Sequence, residues 1–420
     1  MNTQDTPSMD EQARAILRGN DRGGYTVPTA GLYPYQWNWD SAFAAWGFAT
    51  FDLPRAWAEM DTLFTGQWDN GMVPHILFHK ADPGYFPGPD VWSGIGPIPS
   101  SGISQPPVAA SFARRVYDMD PEAGRSHMAE LFPKMAAWHR WFMHWRLDQG
   151  AVCITHPWEA GRDNTPDWDG AMAGIDPVGV GEYTRRDTSH VDPSMRPTKY
   201  DYDRYIWLVQ LGRRLNWDEA ALLKENPFRV ADPTMTFILL RAQRDLAYLG
   251  RELGEDVSEI DAAIATLEAG AETLWNPTIG CYDARDARSG EWADCVSNAS
   301  FLCWYAGLDH PEMEAQYDRI TSICTYPVPS HDPSSERFDA KRYWRGPTWG
   351  IMNALIGMGL EERGLTQRAA ELREATADVI TRHGFAEYFD PHTGGAAGGG
   401  TFTWTAAIWL AWASPSQGQA

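Results

Sequence analysis

A short segment between residues 156 and 166 combines residue types that could carry out acid catalysis. It reads His-Pro-Trp-Glu-Ala-Gly-Arg-Asp-Asn-Thr-Pro and brings Glu159 and Asp163 close to Trp158 and Arg162. The glycine and prolines predict a loop, and catalytic side chains are disproportionately carried by loops. A carboxylic acid keeps its proton near neutral pH when an apolar wall excludes water and nearby charges are controlled. Trp158 can supply that wall, so the segment is typical of a proton donor.

A proton donor acting on a neutral, hydroxylated substrate needs a second carboxylate elsewhere in the chain. Glu387 is the best candidate, within the segment Gly-Phe-Ala-Glu-Tyr-Phe-Asp-Pro at residues 384–391. Two carboxylates in aromatic loops, far apart in sequence, are typical of glycoside hydrolysis. The alternative for Asp163 is a loop-capping aspartate, and for Glu387 a solvated carboxylate that follows a helix.

Composition excludes some classes of partner. The formal charge of -21 argues against nucleic acid and anionic membranes, which select basic surfaces, while a small anionic ligand needs only a local basic pocket. No apolar stretch approaches a membrane span, and residues 1–7 do not resemble a signal peptide. The five cysteines include no C-x-x-C pair, so we expect reduced thiols and a cytoplasmic location.

Aromatic residues are numerous, with 21 Trp, 16 Tyr and 16 Phe, and many of them neighbour Asp, Gly, Asn or Pro. Flat rings with polar rims suit the apolar faces of sugars. The alternative is a Trp-rich helical core.

Hydrophobic periodicity predicts about twelve amphipathic helices and little strand. The predicted helices are 41–51, 53–64, 108–119, 126–147, 202–215, 233–253, 257–274, 293–307, 312–325, 349–363, 367–383 and 403–412. Long loops over 79–107, 155–200 and 326–347 alternate with short links. This organisation predicts an all-α protein with an (α/α)6 toroid, as one catalytic domain over residues 1–420 with the long loops on one face. The Gly-rich stretch 394–400 lacks phosphate-loop spacing and is interpreted as a mobile rim.

Five ordered motifs resemble family 63 glycoside hydrolases, and length and motif order resemble the small bacterial mannosylglycerate and glucosylglycerate hydrolases within it. The motifs are YPYQWNWD at 33–40, QWDNGMVP at 67–74, EAGRDN at 159–164, YWRGPTW at 343–349, and EYF at 387–389 with the Gly-rich stretch after it. The resemblance covers nearly the whole chain. It implies an (α/α)6 barrel, inversion at the anomeric carbon and no metal or other cofactor. It places Asp163 on the general acid and Glu387 on the general base.

An inverting enzyme separates its two carboxyl groups by roughly 6.5–9.5 Å to admit a water molecule. To stay protonated near neutrality, Asp163 needs a pKa raised by about 2–3 units. Burial against Trp158 and a neighbouring carboxylate such as Glu159 would raise this pKa, whereas Arg162 would lower it if it pointed inward. We therefore expect Arg162 to turn to a salt bridge or to backbone, although it is also counted among the substrate-contact candidates. Glu159 could tune Asp163, bind substrate or hold the loop.

The remaining candidates divide between the sugar and its leaving group. The sugar-site candidates are Tyr33, Trp37, Trp39, Asp40, Gln105, Trp158, Arg162 and Trp349. Asp40 could bind vicinal hydroxyls or cap a helix starting at Ser41. A glycerate carboxylate favours an arginine fork with hydroxyl donors, and Arg196 and Tyr202 could serve there. The resemblance implies that Tyr343 and Trp344 also lie near the acid group of the substrate. The alternative for Arg196 is a surface arginine paired with Asp192 or Asp201.

The sequence thus favours an inverting α-glycoside hydrolase that converts glucosylglycerate, mannosylglycerate or both to hexose and glycerate. Other readings remain open. These are a hydrolase of a trehalose- or kojibiose-type glucoside, a non-catalytic sugar-binding protein, and an epimerase or isomerase on the same toroid. An epimerase would use histidine bases such as His156, His190, His331 or His383. His75 and His79 are spaced as metal ligands on a helix would be, although Pro74 precedes them. Glucose versus mannose, and whether the chain forms a homo-oligomer, stay undetermined.

Overall fold

Helix ends in this chain are set by residues that satisfy the unpaired backbone groups of the terminal turns. In the computed structural model, which describes residues 7–416, the Asp52 side chain accepts the Arg55 backbone N–H at 3.2 Å and caps the helix Leu53–Phe64. Asp232 caps Pro233–Leu253 in the same way, and Gly254 ends that helix in a left-handed conformation with φ 81°. Both helices have the bounds predicted from the sequence.

The described residues form the following α-helices in chain order: α1 Met9–Asn20, α2 Asn38–Ala49, α3 Leu53–Phe64, α4 Pro89–Trp92, α5 Ala109–Met119, α6 Pro121–Trp145, α7 Asp169–Ala173, α8 Asp187–His190, α9 Lys199–Arg214, α10 Glu219–Glu225, α11 Pro233–Leu253, α12 Ser258–Glu272, α13 Leu302–Tyr305, α14 Pro311–Thr321, α15 Gly350–Glu362, α16 Thr366–His383 and α17 Thr403–Ile408. Short 3-10 helices cover Pro157–Ala160, Pro166–Trp168 and Pro193–Met195, and a π-helical turn, Trp409–Ala413, continues α17.

Six of these helices form a closed inner ring. Along the chain, α2, α5, α11, α13, α15 and α17 each pack on the next, and α17 packs on α2. The ring helices are mostly buried; α2 and α15 are apolar nearly all round. The outer helices α1, α3, α6, α12, α14 and α16 alternate with them in sequence. This double ring is the predicted (α/α)6 toroid.

Short strands, which the sequence did not predict, connect the helices to the loops. They are β1 Gln36–Trp37, β2 Ile76–Leu77, β3 Leu147–Asp148, β4 Ala151–Ile154, β5 Val230–Ala231, β6 Trp275–Asn276, β7 Cys281–Tyr282, β8 Arg285–Asp286, β9 Tyr388–Phe389 and β10 Ala396–Ala397. All pairings are antiparallel: β3, β4, β5 and β8 form one sheet in that order, and β1–β2, β6–β7 and β9–β10 form ribbons. No helix within residues 7–416 is long and apolar enough to cross a membrane.

The helix predictions differ from the structure at several places, since the short helices α4, α7, α8 and α10 were not predicted. The outer helix α1 was not predicted, although Ser8 and Glu11 form a capping box at its start. The predicted helix 293–307 reduces to α13, Leu302–Tyr305. The Asp283 carboxylate accepts the backbone N–H groups of Asp294 and Cys295, so these groups are satisfied outside a helix.

Candidate active site

A single cavity collects residues from all three long loops. It also receives Asp40 from the first turn of α2 and Trp404 from the first turn of α17, so it opens at the end of the ring where these inner helices begin. Eleven of the predicted site residues line it: Tyr33, Trp37, Trp39, Asp40, Gln105, Trp158, Asp163, Arg196, Tyr202, Tyr343 and Glu387. The long loops therefore meet on one face, as predicted.

Asp163 lies half-buried in the wall of this cavity, on the loop that follows β4. Burial raises the pKa of its carboxyl from an ordinary value of 3.8 to about 7; Arg196 opposes the rise, while Glu387 and Asp187 add to it. The direction of this pKa shift agrees with the sequence prediction, but the carboxylates that raise it are Glu387 and Asp187 instead of Glu159. Gly161 lets the loop pass Trp39 closely, because its φ is 68° and a Cβ there would lie 2.6 Å from the indole ring. The side chain thus faces the cavity and can hold a proton near neutral pH.

Glu387 is 1% exposed and immediately precedes β9, so it is not a solvated carboxylate. Arg196 Nη2 donates to its Oε2 at 2.6 Å, and Tyr33 Oη donates to Oε1 at 3.1 Å. The Gly399 backbone N–H donates to Oε2 at 2.8 Å. The Gly-rich stretch therefore holds the Glu387 carboxylate in place, beyond the rim role we predicted. These contacts orient an ionised carboxylate in the cavity that also contains Asp163.

Asp40 lies inside the first turn of α2, which begins at Asn38, so the prediction that it caps a helix starting at Ser41 is wrong. Its Oδ1 is buried and has no hydrogen-bond partner among residues 7–416. Burial, with Glu387 nearby, raises the pKa of Asp40 well above its usual range. Gln105 Oε1 accepts the Trp39 backbone N–H at 3.2 Å. Asp40 thus offers an unpaired oxygen to a ligand, beside an indole ring that is itself held in place.

Three predicted substrate-contact residues lie behind the cavity wall instead of on it. Arg162 is 0% exposed and pairs with Asp167 and Asp232, so only its predicted turn into a salt bridge is confirmed. Trp344 and Trp349 stack face to face, with ring centroids 3.7 Å apart. Trp344 lies beside Trp39, and Trp349 packs on Tyr343. The local motif could not show that these two indoles support the wall residues.

Arg196 and Tyr202, predicted to contact the leaving group, both line the cavity. Arg196 is 1% exposed, so it is not a surface arginine paired with Asp192 or Asp201. Its main partner is Glu387, and its Nη1 also donates to Tyr33 Oη at 2.9 Å. The Tyr202 hydroxyl donates to the Phe86 carbonyl at 3.4 Å. The arginine expected to bind an acidic ligand therefore also contacts the predicted base.

Glu159 does not line the cavity. It anchors residues 155–168, the segment between β4 and α7 that carries Asp163 and that we call the acid loop. Its Oε2 accepts the Thr155 backbone N–H at 2.6 Å and the Thr155 hydroxyl at 2.9 Å. Its Oε1 accepts from Arg146 at 3.2 Å. Of the three roles left open for Glu159, the geometry supports holding the loop.

Several wall residues were missed by the sequence analysis. They are His75, Ile76, Tyr85, Phe86, Arg186, Asp187, Phe402 and Trp404, with prolines between them. Tyr85, Phe86, Arg186 and Asp187 belong to the long loops, whose aromatic and charged content was the available signal. Arg186 donates to Asp82 at 2.9 Å and thereby joins the first long loop to the second.

Of the histidines considered for an epimerase or a metal site, only His75 lines the cavity. His75 Nδ1 bonds to Ser101 Oγ at 2.7 Å, whereas His79 Nε2 bonds to Gln36 at 2.7 Å, so the two rings have separate partners. Within the described chain, no group of three or more His, Cys, Asp or Glu residues could hold a metal ion. His156, His190, His331 and His383 all lie outside the cavity lining, which argues against an epimerase.

Known proteins share both the sequence and this architecture. A family model, the mannosylglycerate hydrolase MGH1-like glycoside hydrolase domain, matches residues 33–405. Mannosylglycerate hydrolase MGH1 of Selaginella moellendorffii is 43% identical over 413 residues, 96% of this chain and 85% of the relative. A glucosylglycerate hydrolase of Mycolicibacterium hassiacum is 35% identical over 436 residues, 96% of each chain. The crystal structure of a GH63 mannosylglycerate hydrolase from Thermus thermophilus with Tris and D-glycerate matches with a TM-score of 0.93 at 42% identity, over 96% of this chain and 100% of that one. The chain therefore belongs to the mannosylglycerate hydrolase MGH1-like family of glycoside hydrolases.

Proposed function

We propose that this glycoside hydrolase cleaves glucosylglycerate, mannosylglycerate or both, with inversion at the anomeric carbon, to release a hexose and glycerate. One observation carries the proposal: Asp163 and Glu387 share a cavity but have different surroundings. The first is a carboxyl with a pKa of about 7, and the second is a carboxylate paired with an arginine. Such a difference separates the proton donor from the general base.

In the reaction we propose, Asp163 donates its proton to the glycosidic oxygen as the bond to the anomeric carbon breaks. Glu387 takes a proton from a water molecule on the opposite face of the ring, and that water attacks the anomeric carbon. Trp37 and Trp39 offer flat surfaces to the sugar, and Asp40 offers its unpaired oxygen to a hydroxyl. One bond is broken and one is formed, and the sugar's configuration inverts.

The leaving group is placed at the Arg196 and Tyr202 end of the cavity. A guanidinium has five N–H groups, and three hydrogen bonds from Arg196 go to Tyr33 and Glu387. Its Nε has no partner among residues 7–416. Arg196 therefore retains donors for the carboxylate of glycerate. The names of the relatives, which include both a mannosylglycerate and a glucosylglycerate hydrolase, support the same substrate class.

The decisive experiment compares the purified protein on glucosylglycerate, mannosylglycerate, trehalose and kojibiose, with NMR of the anomer first released. We expect hydrolysis of at least one glycerate glycoside, with the β-hexose appearing first from the α-linked substrate. Release of the α-anomer first would contradict inversion. Activity on trehalose or kojibiose with none on either glycerate glycoside would replace the proposed substrate.

A cytoplasmic location is the further part of this proposal. All five cysteines are free thiols, and four of them are buried. Unpaired thiols are typical of a reducing compartment. Cell fractionation of the native host would test this location.

A further inference from the structure

Arg162 directly precedes the general acid in sequence, yet its side chain points into the protein. Its Nη2 donates to Asp167 Oδ1 at 3.0 Å and to Asp232 Oδ1 at 3.2 Å. Its Nη1 donates to Ser297 Oγ at 3.3 Å, and the guanidinium lies 5.3 Å from the Trp168 ring centroid. A buried ion pair is weak evidence for stability, because desolvation offsets the attraction between the charges. A contribution to stability therefore does not by itself explain why the Arg162 side chain is buried.

The three polar partners of Arg162 belong to three different parts of the molecule. Asp167 lies on the acid loop itself, in the 3-10 helix Pro166–Trp168. Asp232 caps the inner helix α11, where it accepts the backbone N–H groups of Thr234 and Met235. Ser297 lies on the segment that leads into the inner helix α13 and donates to Asp167 at 3.1 Å. Arg162 therefore fastens the acid loop to the starts of two helices of the inner ring.

The chain is also fixed on the other side of Asp163. The Asp163 carbonyl accepts from Trp168 Nε1 at 2.8 Å and from the Tyr205 hydroxyl at 3.1 Å. Asn164 Oδ1 accepts the Trp344 backbone N–H at 2.9 Å. With residues 162 and 164 both fixed, the backbone of Asp163 has little freedom. The position of its carboxyl is then set by the anchors around it.

We propose that Arg162 is a positioning residue for the general acid, acting through its buried contacts with Asp167, Asp232 and Ser297. This inference rests on the proposed role of Asp163. A displacement of about 1 Å at a reacting group can lower a rate by about 100-fold. Because only proton donation depends on the Asp163 carboxyl, the loss should depend on how much protonation the leaving group needs.

The test compares Arg162→Lys with the wild type on two kinds of substrate. One is the glycerate glycoside, whose leaving oxygen needs a proton. The other is the matching α-glucosyl or α-mannosyl fluoride, whose fluoride ion can leave with little assistance from a proton donor. We expect kcat/KM to fall about 100-fold on the glycerate glycoside and to change by less than about 3-fold on the fluoride. Lysine keeps the charge but replaces the planar guanidinium fork by a compact ammonium group, which cannot reproduce the same contact geometry.

Two further variants separate positioning from general damage. Asp232→Asn keeps a good helix cap and removes one charge from Arg162, so it should give a smaller loss with the same selectivity for the glycerate glycoside. Arg241→Lys alters a partly buried pair with Asp245 that lies outside the cavity, and it should show no such selectivity. An equal fall on both substrates for Arg162→Lys and Asp232→Asn would overturn the proposal and leave Arg162 a purely structural role.

The same assay on Asp163→Asn keeps the two proposals distinct. A large loss confined to the glycerate glycoside is expected for the removal of an acid. If Asp163→Asn shows no dependence on the leaving group, the assignment of the acid fails. If Asp163→Asn shows that dependence and Arg162→Lys does not, only the positioning role fails.

Discussion

The two sides of the cavity, which carry the proposed acid Asp163 and the proposed base Glu387, use arginine in opposite ways. Arg162 is the sequence neighbour of Asp163 but turns away from it to pair with Asp167 and Asp232. Arg196 is 191 residues from Glu387 in sequence and contacts it directly at 2.6 Å. Burial is thus the main influence on the pKa of Asp163, whereas the Glu387 carboxylate is held by the Arg196 guanidinium.

This difference explains how two carboxyl groups in one cavity can take different roles. A guanidinium pointing from Arg162 into the cavity would favour the ionised form of Asp163 and remove its proton at neutral pH. A guanidinium on Glu387 orients an anion that can accept a proton from water. The direction in which each arginine points, more than the number of arginines, therefore distinguishes the proposed acid from the proposed base.

The largest expected effect comes from removing either carboxylate while keeping its shape. Glu387→Gln and Asp163→Asn should each lower kcat on the glycerate glycoside by about 10²–10⁴-fold, the usual contribution of general acid–base catalysis. Binding should persist, since the cavity wall is unchanged, and calorimetric titration with the substrate measures it. If both variants kept wild-type turnover, the site would lie elsewhere. Loss of binding together with turnover would instead indicate a folding defect.

Replacing Arg196, the arginine that lines the cavity and pairs with Glu387, should have the next largest effect. Arg196→Met removes the partner of Glu387 and the expected ligand for the carboxylate of glycerate, so kcat/KM should fall by about 100-fold, which corresponds to a broken buried charge pair of about 3 kcal/mol. Lys199→Met is the control, because Lys199 is exposed and pairs with Asp203 outside the cavity. The relative rates on a glycerate glycoside and on a neutral-leaving-group glycoside measure the effect. An equal fall on both substrates would limit Arg196 to holding Glu387.

The sequence predicted that Arg162 turns into a salt bridge, but it could not identify the partners of Arg162 or Arg196. Asp163 and Glu387 stand in Gly- and Pro-rich aromatic loops, and this local composition is visible in the chain. Arg162 and Arg196 are oriented by partners 70 and 191 residues away. No local pattern identifies the distant partners, and Arg162 was therefore also counted among the substrate-contact candidates, although its salt bridge was expected.

The helix predictions also succeeded where the determining residues are adjacent in sequence and failed where they belong to another segment. Helices α3 and α11 were predicted with their observed bounds because each begins with an aspartate cap followed by a proline in the first turn, and both residues can be recognised from the sequence alone. The predicted helix 293–307 failed over its first part because Asp294 has a φ of 52°, outside the right-handed helical region, and Asp283 from another segment accepts the Asp294 and Cys295 backbone N–H groups. Likewise, Trp344 and Trp349 were expected to contact the substrate, but they lie behind the cavity wall, and only the packing shows which indoles face the cavity.

The pH dependence of activity should report the acid side. With a pKa of about 7, Asp163 loses its proton as the pH rises through neutrality, so kcat/KM should fall about tenfold per unit well above pH 7. Asp187 raises this pKa and Arg196 lowers it. Asp187→Asn should therefore move the alkaline limb to lower pH, and Arg196→Met should move it to higher pH. Rate profiles between pH 5 and pH 9 would show both shifts, and coincident profiles would mean that the limb belongs to another group.

The smallest expected effect is on stability. The folded-state pKa of Asp163 lies above its ordinary value of 3.8. Below that pH the carboxyl is protonated in both the folded and the unfolded state, so it does not destabilise the folded protein. It destabilises the folded protein increasingly as the pH rises from about 4 to about 7. Three pKa units correspond to about 4 kcal/mol, and partial exposure to water reduces this to about 2 kcal/mol. Asp163→Asn should therefore unfold at a higher temperature than the wild type at pH 8 and at nearly the same temperature at pH 4. A scan of both proteins at the two pH values measures the difference. Glu387→Gln is the contrasting variant, because it leaves Arg196 buried without its charge partner and should unfold at a lower temperature at pH 8.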